Sequence, residues 1–416
     1  MSNTKGLFVA SRKSNGSGDT GVALSGDPRR RAVVFIVLIG CVSLFADMTY
    51  EGARSIAGPF LGSLGASAVV VSVVAGLGEF LGYGVRYFSG RAADRHGHCW
   101  PIMLTGYIVN LLSVPLLALA AVWPVAMVLF VAERVGRAIR APIRGAMLSH
   151  AASRTGAGWG FGLHTALDQL GGMSGPLLIA GLLAIDAGYH RSFAVLLLPA
   201  LSSLGVLTAA RFLYPDPRSL EIRAVDAKLA AWSGFGRTFR LYTVAAALAA
   251  AGFVDFALAA FHLTRTTVVP PAGIPLLYAL AMAAEGVAAL VLGRLLDRIG
   301  GLIAPAAIVT AAMATPLLFL GSSAAAVVGA ALWGVGTATQ DTVFHALLAR
   351  EIPQNRRATA YGLFDALRGT AWLLGSIVLG FLYAISLPAL VGLSMLLQFT
   401  AVPVLMVLSQ RSRPEY

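Results

Sequence analysis

Two octapeptides decide how this chain is read: Gly90-Arg91-Ala92-Ala93-Asp94-Arg95-His96-Gly97 and Gly293-Arg294-Leu295-Leu296-Asp297-Arg298-Ile299-Gly300. Glycine, arginine, aspartate, arginine and glycine recur at five matching positions, at an offset of 203 residues. Each copy sits between long apolar runs. Of the 416 residues, 57% are hydrophobic and 12% are charged, whereas soluble domains carry about a quarter charged residues. Apolar runs of about 20 residues, the length that crosses a bilayer as a helix, recur along the whole chain. The two charged octapeptides therefore read as short connections at a membrane surface.

Twelve candidate spans follow: 33–55, 67–89, 100–121, 124–146, 159–184, 192–211, 240–263, 273–294, 302–321, 324–348, 358–383 and 388–409. The longest polar link divides them six and six. The expected organisation is a disordered tail over 1–31, a six-helix bundle over 32–211, a linker over 212–239, a second bundle over 240–410 and a short tail over 411–416. Most Lys and Arg residues fall in tails and loops of one side, which puts both termini in the cytoplasm by the positive-inside rule. The expected location is the cytoplasmic (inner) membrane. The net charge of +12 is thereby explained by topology and anionic lipid, with no nucleic-acid partner. Cys41 and Cys99 lie in different segments and suggest neither a disulfide framework nor a metal site.

The repeat is wider than the octapeptide. At an offset of 200, Gly136 matches Gly336, Leu148 matches Leu348, Gly162-Leu163 matches Gly362-Leu363, and Gly175 matches Gly375. The expected fold class is all-α integral membrane, twelve transmembrane helices in two pseudo-symmetric six-helix bundles. Such duplicated bundles place a transport site between the halves.

Charge placement narrows that site. Spans 1, 2, 4 and 5 hold Asp47 and Glu51, Glu79, then Glu133, Arg134 and Arg137, and Asp168; spans 7, 8, 10 and 11 hold Asp255, Glu285, Asp341, and Asp365 with Arg368. Spans 3, 6, 9 and 12 carry no Asp, Glu, Lys or Arg in their interiors. A charge facing lipid costs several kcal/mol, so eight spans form the interior and every third one faces lipid. On the helix, Glu133 and Arg137 are at i, i+4 and can pair, and Glu51 with Arg54 suits a salt bridge at the outer end of span 1. Asp168 and Arg368 stand at equivalent positions and could meet across the interface, as a gate or a structural tie. His164, His262 and His345 lie in or near spans, and pH sensing competes there with ordinary hydrogen bonding. Trp333, Phe344, Phe364 and Trp372 suit an amphipathic site or core packing equally. Nine interior acids against three arginines lean toward a neutral or cationic substrate.

The duplicated octapeptide resembles the G-x-x-x-D-R-x-G-R-R loop signature of the major facilitator superfamily, with His98 and Cys99 in place of the final basic pair. The resemblance covers about 31–410 and implies the major facilitator fold. It assigns Gly90, Asp94, Arg95, Gly97, Gly293, Asp297, Arg298 and Gly300 to conformational gating. The glycines permit tight turns, and each aspartate faces a helix N-terminus of the other half, a contact worth about 0.3–1 kcal/mol. Gly162, Gly171, Gly175 and Pro176 are similar to the superfamily's antiporter motif in span 5, although Ile179 and Ala180 replace its final glycine pair. Arg134-Val135-Gly136-Arg137-Ala138 resembles the span 4 arginine motif, with Arg137 replacing a glutamine. The resemblance implies that Asp47, with Glu51, and Arg134 share a proton and substrate pathway.

The expected function is secondary active transport by alternating access, as proton-coupled antiport exporting a small amphipathic compound; the alternative is a proton-coupled importer of a metabolite or organic anion. The expected pathway comprises Asp47, Glu51, Glu133, Arg134, Arg137, Asp168, Asp255 and Arg368. No nucleotide-binding loop, metal-ligand pair or activated nucleophile is legible, so neither enzyme activity, cofactor nor metal is expected. The expected partners are a small-molecule substrate, protons and the lipid bilayer, around a monomer.

Overall fold

The structure is a computed structural model and describes residues 28–96, 99–155, 157–215, 236–351 and 357–411. The described residues are helical almost throughout. Ten helical runs are long and apolar enough to cross a membrane. Two further runs occupy the places of spans 4 and 10. Span 4 is one helix, Trp123–Thr155, that is long enough but heavily charged. Span 10 is cut into Ser323–Ala338 and Phe344–Glu351 by a π-turn at Thr339–Val343.

Span 1 is longer than its sequence suggests. It begins at Pro28, inside the expected tail, runs to Ser55 and resumes as Ala57–Ser63. Proline suits a first helical turn, where its missing N–H would have no partner. Pro59 explains the break, because its ring collides with the carbonyl four residues earlier; there, Ser55 donates to the Gly52 carbonyl at 2.6 Å. Span 7 shows a matching break: Arg237–Gly252 stops, residues 253–255 are extended, and Phe256–Arg265 restarts. Asp255 caps the restart by accepting from the Ala257 backbone N–H at 2.9 Å.

The octapeptides are not loops. Ala68–His96 and Gly273–Ile299 are unbroken helices that carry both sequences to their penultimate residues. Gly90 and Gly293 are therefore helical, and the expectation of a turn at them is corrected. Arg, Ala and Leu around them favour helix, and a glycine costs a helix interior only about 1 kcal/mol. The turn comes at Gly300, whose φ of 68° is the left-handed conformation that glycine adopts freely. Gly97 and the side chains of Asp94, Arg95 and Asp297 lie outside the described residues.

Glycines set the closest helix contacts inside each half. A Cβ on Gly171 would lie 2.2 Å from the Leu44 carbonyl oxygen, and one on Gly175 2.2 Å from that of Met48. Span 5 thus presses backbone to backbone on span 1. Gly375, the repeat mate of Gly175, does the same to Ala251, at 2.0 Å. The motif over Gly171, Gly175 and Pro176 is a packing surface, whatever else it does; Gly162 lies among side chains that are not described. Gly175→Val should force spans 1 and 5 apart and lower stability by about 1–3 kcal/mol, the usual cost of overpacking. Thermal unfolding in detergent checks it, with Gly181→Val, where no atom lies within 4 Å, as the near-neutral control.

The two halves meet mainly through spans 2 and 11 and spans 5 and 8. At the face opposite the termini they touch at backbone distance. A Cβ on Gly58 would fall 1.9 Å from the Ala257 oxygen, on Gly62 2.8 Å from the Phe261 ring, and on Gly380 2.7 Å from Ser72. Toward the termini face the contacts among the described residues loosen: a Cβ on Gly82, Gly84 or Gly293 would meet none of them within 4 Å, although one on Gly369 would still lie 2.7 Å from the Tyr83 ring. Spans 3, 6, 9 and 12 present exposed aliphatic side chains such as Ile108, Leu198, Leu201, Val309 and Leu396, as an outer, lipid-facing position requires.

Candidate functional site

Between the halves lies a cavity of about 400 Å³. Its described lining comes from spans 1, 2, 4, 5, 8, 10 and 11, with nothing from spans 3, 6, 9 or 12. The charge pattern of the sequence predicts this division, except that it also counts span 7, which contributes nothing to the described lining. A cysteine scan should find solvent-reactive positions along one stripe of span 4 and almost none mid-way along span 3.

One wall is a chain of ion pairs. Arg54 bridges Glu51 and Glu79, at 3.2 Å each. Arg134 reaches Glu79 at 2.8 Å and its neighbour Glu133 at 3.3 Å. Arg137 lies 3.6 Å from Glu51 and 4.4 Å over the Tyr50 ring. Asn110 of span 3 donates to Glu133 at 2.8 Å and accepts from the Arg140 Nε at 3.2 Å. Tyr278 of the second half donates to Glu51 across the interface at 2.5 Å. Asp47 accepts from the Tyr50 hydroxyl and makes no ion pair among the described residues.

Arg368 anchors the other wall. Only 1% of its side chain is exposed, and it pairs with Asp341 at 2.8 Å and Asp365 at 3.9 Å. Its second terminal nitrogen donates to the Tyr83 hydroxyl of span 2, the reciprocal link between halves. His345 meets Asp365 at 3.1 Å. Asp341 belongs to the π-turn. The extra residue of such a turn re-aims the side chains that follow it, and π-turns gather at functional sites.

Several expected pairings are corrected. The expected Glu51–Arg54 salt bridge does form, at 3.2 Å, but it lines the cavity instead of closing the outer end of span 1, because that span continues to Ser63 and carries the pair inward. Glu133 pairs with Arg134 and Asn110, while Arg137 turns to Glu51 and Tyr50. Asp168 and Arg368 do not meet: Asp168 is 3.6 Å from Arg144 and 3.4 Å from His164, and Arg368 has its own carboxylates. Asp255 lines a separate crevice of about 30 Å³ beside Arg54 and Tyr278, not the main cavity. His164 also bonds Ser43 and His262 bonds Tyr383; only His345 borders the cavity. Phe344 and Phe364 are core, whereas Trp333 and Trp372 line the space. The lining holds seven acids (Asp47, Glu51, Glu79, Asp168, Glu285, Asp341, Asp365) and five arginines (Arg54, Arg86, Arg134, Arg137, Arg368), so the expected acidic excess shrinks.

Tyr83, Arg86, Tyr278 and Gln340 are site residues that the sequence reading passed over. Arg140 and Arg144 did carry a signal. With Glu133 and Arg137 they repeat at i+4, i+7 and i+11, one face of span 4. Buried ion pairs are costly to break from one side, by about 3–5 kcal/mol, because a charge is left without compensation. Arg134→Ala removes the guanidinium held by Glu133 and one of the two held by Glu79. It should lower the melting temperature markedly, and adding Glu79→Gln should recover part of the loss.

Residues 38–376 match the family profile described as Major Facilitator Superfamily. The chain belongs to that superfamily. It is 38% identical over 379 residues to an uncharacterized protein of Mycobacterium tuberculosis, covering 90% of this chain and 92% of that one. An uncharacterized MFS-type transporter of Methanocaldococcus jannaschii is 29% identical over 143 residues, 34% of this chain and 36% of its own. Among solved structures, the nucleoside transporter NupG superposes with a TM-score of 0.71 at 12% identity, covering 91% of this chain and 98% of that one. A peptide transporter POT superposes with a TM-score of 0.71 at 13% identity, over 92% and 97%. At such identities these two show the fold alone. Membrane transport is the activity of the superfamily, and the fold is that of transporters.

Proposed function

We propose that this superfamily member is a proton-coupled secondary transporter that exports a small charged solute in exchange for protons. The observation that carries the reading is Asp47. It lines the cavity between the halves and accepts the Tyr50 hydroxyl, but among the described residues no guanidinium lies within ion-pair distance of it, in a wall where Glu51, Glu79 and Glu133 are all paired. Such a carboxyl can take up and release a proton without dismantling the network. The nearby charges of Arg144, Arg137, Arg140 and Asp168 give a proton on Asp47 a lever on the rest of the wall.

The route of exchange follows from the contacts. With both termini cytoplasmic, the loosened face is the inner one and the Gly58–Ala257 closure is the outer one. Opening outward must separate the Tyr278–Glu51 and glycine contacts and bring the inner ends of the halves together. Asp94 and Asp297 are proposed to bias that second state from the inner ends of spans 2 and 8. Asp94→Asn should lower transport several-fold and leave affinity in a trapped inward-open state within about twofold, since a conformational bias acts without touching substrate. Export as the direction rests on the antiporter-like residues Gly171, Gly175 and Pro176. Purified protein in proteoliposomes, with an imposed pH gradient and a panel of solutes, tests the reading; solute movement indifferent to the gradient would refute it.

The importer reading with arginine ligands keeps one observation in its favour, a cavity arginine that no carboxylate among the described residues holds.

A further inference from the structure

That arginine is Arg86, and it has a counterpart. Most charged groups in the cavity are held by an opposite charge. Arg86 makes no ion pair among the described residues; its guanidinium lies 5.1 Å over the Tyr83 ring, and its buried Nε has no hydrogen-bond partner. Glu285, across the cavity in span 8, makes neither an ion pair nor a hydrogen bond among the described residues. The charged groups facing Glu285 are Asp341 from span 10, Glu51 and Arg54 from span 1 and Arg137 from span 4, none of them within ion-pair distance. Asp47, the remaining carboxyl without a guanidinium, already has the Tyr50 hydroxyl.

One arginine and one carboxyl are thus left without partners, among the described residues, on opposite halves of one small cavity. Polar groups left unpaired away from bulk water are expensive, so the two are best completed by a ligand that brings an anion to the arginine and a cation to the carboxyl. Arg86 offers a planar fork of N–H donors, the geometry that matches a carboxylate in two parallel bonds. Stacking on Tyr83 holds that fork in place. Glu285 offers a carboxyl, which becomes an acceptor for an ammonium once ionised. The same cavity is lined by the aromatic side chains of Trp333, Trp372 and Tyr278, and aromatic faces attract an ammonium. Among the described residues the buried Trp372 indole N–H and Gln340 Oε1 of the lining also lack partners, which supplies one donor and one acceptor for a further substituent of the ligand. A cavity of about 400 Å³ is near the small end of ligand sites, which run to about 1,000 Å³.

We propose that the cavity binds a small zwitterion, a solute with an ammonium and a carboxylate on a short spacer, with Arg86 of the first half receiving the carboxylate and Glu285 of the second half receiving the ammonium. The inference rests on the reading of this cavity as the transport site. A ligand held at both ends draws the halves together, while either half-ligand satisfies one pole and leaves the other bare. That is how such a site rejects singly charged analogues.

The test is binding to the full-length protein in detergent, by calorimetry and thermal shift, with no gradient applied. The probes are the unbranched amino acids from glycine to 6-aminohexanoate, each with its N-acetyl derivative (carboxylate only) and its methyl ester (ammonium only). At least one zwitterion should bind about tenfold or more tightly than both of its derivatives, the scale of leaving a buried charge unpaired. Glu285→Gln should narrow the gap to the N-acetyl probe alone, and Arg86→Gln the gap to the ester alone. This crosswise pattern is one that a merely destabilised variant does not produce. If either variant fails to fold, the ranking of the three probe types by the unaltered protein decides. Equal or tighter binding of a singly charged derivative, no binding by any zwitterion of the series, or a uniform loss for all probes in both folded variants would overturn the proposal. Zwitterion binding without any proton movement in vesicles would sink the coupling reading and leave this one standing. Proton movement driven only by singly charged probes would do the reverse.

Discussion

Replacing Asp47 by asparagine should abolish uphill, proton-driven accumulation while exchange down the substrate's own gradient continues. The amide cannot carry a proton across the cycle, yet it still accepts a hydrogen bond from Tyr50, so the local packing of span 1 is kept. Accumulation driven by an imposed pH gradient should fall by more than about tenfold, and counterflow by no more than about twofold; a split of this kind separates a coupling role from a binding one. Glu51→Gln should behave differently. Glu51 holds Arg54 at 3.2 Å and Arg137 at 3.6 Å and accepts from Tyr278, so its loss releases Arg137, leaves Arg54 to Glu79 alone and removes one link between the halves. Both uphill and downhill transport should suffer. If Asp47→Asn accumulates substrate like the unaltered protein, Asp47 is not the carrier.

The second large effect is steric. Gly58 sits against span 7 with no room for a side chain: a Cβ would lie 1.9 Å from the Ala257 carbonyl oxygen and 3.1 Å from the Phe261 backbone nitrogen. Backbone cannot yield as a side-chain tip can. Gly58→Val should therefore prevent the outer closure and hold the protein open to the other face. Transport should be lost almost completely. Stability should change less, because the clash is relieved by the opening that the cycle requires anyway. Cysteines placed at Val71 and Leu61, which border the crevice behind this contact, should gain reactivity toward an impermeant reagent in the variant. Unchanged reactivity with intact transport would mean that this contact is not part of the gate.

The fold was readable because lipid as solvent constrains sequence so strongly. Long apolar runs, a doubled octapeptide and charges confined to eight spans lead to two bundles around a polar seam. What resisted reading has local causes. The break before Pro59 lengthens span 1 and shifts Arg54 from an outer end into the cavity. The π-turn at Thr339–Val343 has no simple signature, yet it aims Gln340 and Asp341. Pairing was least legible of all. Glu133 and Arg137 are correctly spaced to bond, but Asn110 arrives from span 3 and Tyr50 offers its ring, and both side chains take those tertiary partners. Asp168 and Arg368 are symmetric in sequence but not in partners, because Arg144 has no counterpart facing Arg368. Repeats preserve helix packing, as the Gly175 and Gly375 contacts do, more faithfully than they preserve charge networks.

The most direct test of the central claim places purified protein in proteoliposomes with an acidic lumen and a lumenal pH dye, then adds the tightest-binding zwitterion outside. Substrate entry should be accompanied by proton release from the lumen. The signal should vanish in Asp47→Asn and in the presence of a protonophore. Substrate that accumulates at the same rate and to the same level with the protonophore present, and with no change in lumenal pH, would contradict proton-coupled exchange through this cavity.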